Sequence, residues 1–180
     1  QTKSKEMNPN GFWESAYAVK GIQWVQDAPD SNQVCKIVSQ GLAQSNPQYI
    51  DKIVMMVRHP WAVANSHKDL INQFPFGEAR NKELGNINPN MYINVTINAC
   101  RWILKNKPEI CLVSFEDLLQ DPDKELLNVS NFIGEGDWEK AKKVIEPKLK
   151  RNKPERLDDK EHWDVALEIH EKFKLGDWQG

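Results

Sequence analysis

The chain has 180 residues, 39% of them hydrophobic, with 24 Lys and Arg against 26 Asp and Glu and a formal net charge of -2. That length supports one domain with a real core rather than two. The balanced charge leaves no global basic field to hold nucleic acid, and no run of about eighteen apolar residues is present to span a membrane.

Taken in order, residues 1 to 33 are polar, with turn signals at Asn8-Pro9-Asn10-Gly11 and Asp27-Ala28-Pro29-Asp30. Val34 to Val38 is a short strand candidate, and Gly41 to Asn46 a helical piece stopped by Asn46-Pro47. Ile53 to Val57 is the clearest strand, a continuous apolar run that ends abruptly in Arg58. Trp61 to Phe74 is predicted helical, with Val63, Leu70, Ile71 and Phe74 apolar. Phe76 to Asn88 is a loop rich in Gly, Asn and charge. Pro89 opens a further helix, capped by Asn88, with the stripe Tyr92, Val95, Ala99, Trp102 and Ile103; Pro108 closes it.

Ile110 to Phe115 is a second strand. Asp121-Pro122 caps and starts a helix that carries Leu126, Val129 and Ile133 and ends at Gly134. Trp138, Ala141, Val144 and Ile145 form a short helix before Pro147. Lys148 to Arg156 is basic and extended: either a solvated charged loop or an anion-binding patch. A last helix runs from about Asp159 to Lys174, with Trp163, Leu167 and His170 on one face. Strands alternating with helices give the fold class: α/β with a central parallel sheet flanked by helices.

Cys35, Cys100 and Cys111 are odd in number and widely spaced, so they read as reduced cysteines in the packing, not a disulfide frame or a metal site. Asn94-Val95-Thr96 and Asn128-Val129-Ser130 are glycosylation sequons inside predicted helices, where such sites are seldom used. No charged n-region followed by an apolar stretch is visible at the start of the sequence, and a cytoplasmic protein is the expectation.

In open α/β sheets, ligands bind at the carboxyl ends of strands. Arg58 stands there, and a guanidinium can grip a phosphate through two hydrogen bonds. Ser66, about two helical turns on, adds a hydroxyl. The alternative for the pair is a surface ion pair and a solvated serine.

Val57-Arg58-His59-Pro60 with Ser66 resembles the 3′-phosphate-binding motif of the sulfotransferases that use 3′-phosphoadenosine 5′-phosphosulfate. Val113-Ser114-Phe115-Glu116-Asp117-Leu118 through Asp121-Pro122 to Asn131-Phe132-Ile133-Gly134 is similar to a second block of that family, in the same order. The resemblance covers roughly residues 8 to 134 of one domain over 1 to 180, whose part from 135 is helical. It implies a three-layer fold of the P-loop type. It also implies transfer of a sulfonate to an acceptor hydroxyl or amine, with a small molecule or glycan as acceptor, and no metal.

The resemblance assigns Arg58 and Ser66 to the 3′-phosphate and Phe115 to the adenine, although a strand-end core aromatic is an equal reading of Phe115. Asn8-Pro9-Asn10-Gly11-Phe12-Trp13-Glu14 is similar to a stretch of the heparan-type branch whose glutamate is the general base, which implies that role for Glu14. A solvated loop acid is the equal alternative. Lys36 lies where the family places a lysine toward the transferring sulfonate; a surface lysine is the competing reading. His59 and His67 read as structural or peripheral.

The departure is at the donor loop. The family's Pro-(Lys/Arg)-Ser-Gly-Thr-(Thr/Ser) segment, which cradles the 5′-phosphosulfate, is absent, and Gln1 to Met7 is too short to hold it. The expectation is therefore an N-terminally incomplete domain, with a strand, loop and helix upstream. The alternatives are a degenerate sulfotransferase-like binding domain and a nucleotide kinase-like phosphotransferase. The second would need a Walker loop and a Mg²⁺-binding acid. A homo-oligomer is left open.

Overall fold

The structure is a computed structural model that describes residues 34, 36–73, 89–149 and 160–176, the side chains of 70–73 and 160–163 excepted. Within them the chain is mixed α/β. Its two strands, β1 (Lys52–Val57) and β2 (Glu109–Ser114), pair in parallel, with Lys52 opposite Glu109 and Val57 opposite Ser114. The helices are α1 (Ser39–Leu42), α2 (Pro60–Gln73), α3 (Pro89–Asn106), α4 (Phe115–Gln120), α5 (Pro122–Ile133), α6 (Trp138–Lys142) and α7 (Lys160–Lys174).

The parallel pairing needs a crossover, and α2 and α3 lie within it. The pleat decides which groups face the core. Ile53, Met55 and Ile110 share one face of the sheet and pack on Leu42, Ala99, Trp102 and Ile103. Trp102 is 7% exposed, and its indole Nε1–H donates to the Ser45 carbonyl at 3.1 Å, which ties the segment after α1 to α3. On the other face Val54 and Met56 are exposed, whereas Val113 is buried and α5 packs against β2.

Local caps set the turns. The Ser114 hydroxyl accepts from the Asp117 N–H, so β2 runs straight into α4. Asp121 caps α5 through the Lys124 N–H, and Gly134 ends it at φ 89°. The Lys52 ammonium donates to the last α5 carbonyls, 2.7 Å to Phe132 and 3.3 Å to Ile133, where the helix dipole favours a cation. Helix α7 crosses α3 and α2, with Ala166 buried against Ala64, Trp61, Tyr92 and Ile93.

Two expectations change. Val34 and Lys36 to Val38 join no strand among the described residues. Val38 is extended, at φ −77° and ψ 149°, but serves as the lead-in to α1. An alternation this short makes a strand only where a neighbour offers a ladder. Phe115 leaves the second strand and opens α4, because the Ser114 cap bends the chain. On α7, His170 is buried and Leu167 half-buried on the expected face, joined by Ala166 and Phe173; the Trp163 side chain lies outside the described residues. The loop over 76 to 88 and most of the basic run lie outside the described residues; Lys148 is described and pairs with Glu146 at 3.0 Å.

Candidate functional site

The parallel register brings two distant segments to one place. Val57 pairs with Ser114, so the next residues, Arg58 and Phe115, emerge side by side at the carboxyl end of the sheet. The Arg58 guanidinium carbon lies 4.6 Å from the centre of the Phe115 ring, within cation–π range. Burial lowers the Arg58 pKa from its ordinary value, and the nearby Glu116 carboxylate opposes that. The group remains a cation, since arginine does not deprotonate in proteins. The Glu116 Oε1 also accepts from the His59 N–H at 3.4 Å, linking the turn after β1 to the start of α4.

His59 shapes the entry to α2. Its Nδ1 accepts from the Trp61 N–H at 3.3 Å and its carbonyl accepts from Val63 at 3.1 Å. Pro60, which has no N–H to satisfy, takes the first helical position and is buried. Ser66 lies on α2, seven residues from its start counting Pro60, and is half-buried.

Behind Arg58 stand α3 and α7. The Tyr92 hydroxyl reaches the Arg58 carbonyl at 3.5 Å and His170 Nδ1 at 3.2 Å. Burial pushes the phenol up to about 12. His170 is 4% exposed, and its ring centre is 5.9 Å from that of His59. At the end of α7 the Lys174 ammonium pairs with Asp117 at 3.0 Å and holds that carboxyl below its usual range. An open cleft of about 180 Å³ runs beside Arg58, walled by Met55, Val57, Met91, Tyr92, Thr96 and Phe173 among others.

Of the residues singled out in the sequence, Arg58 and Phe115 are therefore in contact. Ser66 follows on the helix that leaves the Arg58 turn. Lys36 is exposed, two residues before Val38, which leads into α1. Glu14 lies outside the described residues, as does Cys35. Sequence reading missed Tyr92, Glu116 and His170 as members of this constellation, and it set His59 aside as peripheral. Only Glu116 carried a local signal, its place in the second block; the convergence of the others is a tertiary fact.

Cys100 and Cys111 are half-buried free thiols, and burial pushes the Cys100 thiol up to about 11. No cluster of three or more His, Cys, Asp or Glu suited to a metal occurs among the described residues. No helix there is long and apolar enough to cross a membrane.

Chemically, a half-buried guanidinium fixed at a strand end, with an aromatic face beneath it and a helix start beside it, suits a planar or tetrahedral oxyanion. No family model, no curated protein and no solved structure matches this chain.

Proposed function

We propose that this chain is a sulfotransferase domain that moves a sulfonate from 3′-phosphoadenosine 5′-phosphosulfate to an acceptor hydroxyl or amine. The observation that carries the reading is the convergence of its two motif blocks: Arg58 and Phe115, 57 positions apart in sequence, meet at 4.6 Å at the carboxyl end of parallel strands. Two unrelated short matches have no reason to share a crevice, and a donor site needs them to.

Arg58 and the Ser66 hydroxyl hold the 3′-phosphate. Phe115 lies against the adenine, and stacking on a ring face suits a purine. Glu14 takes the proton of the acceptor as its oxygen or nitrogen attacks sulfur. The bond from sulfur to the bridging phosphate oxygen breaks, and 3′-phosphoadenosine 5′-phosphate leaves. Lys36 offsets the charge that develops on the sulfonate and leaving oxygens. The finer architecture in this reading is three layers. The protein is cytoplasmic in this reading.

The test is release of 3′-phosphoadenosine 5′-phosphate from the donor in the presence of phenolic, amine and glycan acceptors. Acceptor-dependent release that falls about a hundredfold or more in Glu14→Gln supports the assignment, a general base being worth roughly that much. Full turnover in Glu14→Gln requires a different base. No release with any acceptor class rejects transferase activity in favour of a binding domain.

A further inference from the structure

We propose that α7 is a pH-operated clasp over the Arg58 turn: it stays docked while His59 and His170 are neutral and lets go when they take up protons. The inference does not depend on what Arg58 binds.

The geometry is a joint of two imidazoles. His59 works only in its neutral form, because its Nδ1 is the acceptor for the Trp61 N–H in the first turn of α2. A proton on Nδ1 turns that acceptor into a donor facing a donor. It also sets a cation at a helix N-terminus, where the dipole is unfavourable. His170 meets His59 at 5.9 Å between ring centres and is 4% exposed, packed by α7 against Tyr92. A charge on His170 is therefore desolvated and faces a second imidazole. Undocking α7 hydrates it.

The groups that face His170 from each packed element oppose one another. Glu116 on α4 and Glu171 on α7 itself favour the charged form. His59 and Lys174 disfavour it, and burial, the largest effect, disfavours it most. Tyr92 on α3 stays protonated through the neutral range, with Cys100 near it. On α2 the half-buried His67 is shifted by burial alone. The net direction for both His59 and His170 is downward from the ordinary imidazole value. The sign follows: the docked state binds protons less tightly than the undocked one. Docking is complete above the undocked pKa of about 6.5 and weakens as pH falls below it.

Release has a local consequence. Phe173, one residue short of Lys174, forms part of the wall of the cleft beside Arg58, and Lys174 ties the end of α7 to Asp117. That tie is a half-exposed ion pair and is weak alone. Losing the His170 joint frees Phe173 and opens the cleft.

The test is the amide hydrogen-exchange protection factors of residues 164 to 174, compared with those of β1 and β2, from about pH 7.5 to about pH 5.5. Protection in α7 is expected to fall by up to about tenfold per pH unit for each proton taken up, while the strands hold theirs. His170→Asn, which keeps a polar group for Tyr92 but does not titrate, is expected to flatten that slope. Three results overturn the proposal: pH-independent protection of α7 in the unsubstituted chain, an equal loss in α7 and the strands, or an unchanged slope in a folded His170→Asn. The unsubstituted chain decides even where the variant fails to fold.

Discussion

The contact between Arg58 and Phe115 can be weighed by itself. The guanidinium carbon sits 4.6 Å above the ring, in a turn where Arg58 is neither exposed nor fully buried. Cation–π contacts run from about 0.5 kcal/mol at exposed sites to about 2 kcal/mol when desolvated, so a half-buried pair is worth about 1 kcal/mol. Arg58→Met keeps most of the aliphatic stem and removes the charge. Phe115→Leu removes the ring face and keeps an apolar group. Both variants and the double variant, unfolded in urea and extrapolated to water, give the coupling energy directly. A coupling of about 1 kcal/mol stands well above the few tenths expected of independent sites. Additivity to within about 0.3 kcal/mol refutes the stack as an energetic unit. If the stack also presents the guanidinium to a phosphate, Phe115→Leu weakens binding of 3′-phosphoadenosine 5′-phosphate about fivefold, the equivalent of that same energy.

Trp102→Phe removes the donor to the Ser45 carbonyl and leaves a buried acceptor unpaired, so stability falls by about 1 to 3 kcal/mol in chemical unfolding; a change within about 0.3 kcal/mol means that the 3.1 Å contact contributes nothing. Gly134→Ala places a Cβ at φ 89° and costs about 1 kcal/mol, read as a lowered melting temperature, although nothing lies within 4 Å of the added atom. Cys100, its thiol pushed up to about 11 by burial, is expected to alkylate far more slowly than a free thiol near neutral pH and to react readily once the chain is unfolded, followed by peptide mass.

What was legible in the sequence is what local chemistry controls. The run Ile53 to Val57 and the 3.6-residue stripe of Tyr92, Val95, Ala99, Trp102 and Ile103 each carried a pattern, and the structure places a strand and a helix there to within a residue or two. Asp121 and Gly134 marked both ends of α5. Helix α4 was missed because Phe115 continues the apolar content of the strand, and the strand pattern outweighed the cap signal of Ser114 with Asp117 three residues on. Val34 and Lys36 to Val38 join no strand among the described residues for the converse reason: their apolar content suited a strand, but whether a strand forms rests with a neighbour. In the candidate site, Arg58 was legible because a charge ends an apolar run. Tyr92 and His170, 78 positions apart, hydrogen-bond only because α7 crosses α3, and no periodicity encodes that crossing.

In the proposed function, the Arg58 turn holds the 3′-phosphate of the donor nucleotide. Calorimetric titration of the chain with 3′-phosphoadenosine 5′-phosphate, beside Arg58→Ala and Ser66→Ala, decides whether it does. Saturable binding is expected, weakened at least about tenfold in Arg58→Ala, as fits loss of charge-assisted hydrogen bonds of about 1.5 to 3 kcal/mol, and by less in Ser66→Ala. Equal affinity in the unsubstituted chain and in Arg58→Ala, or no binding at all, contradicts it.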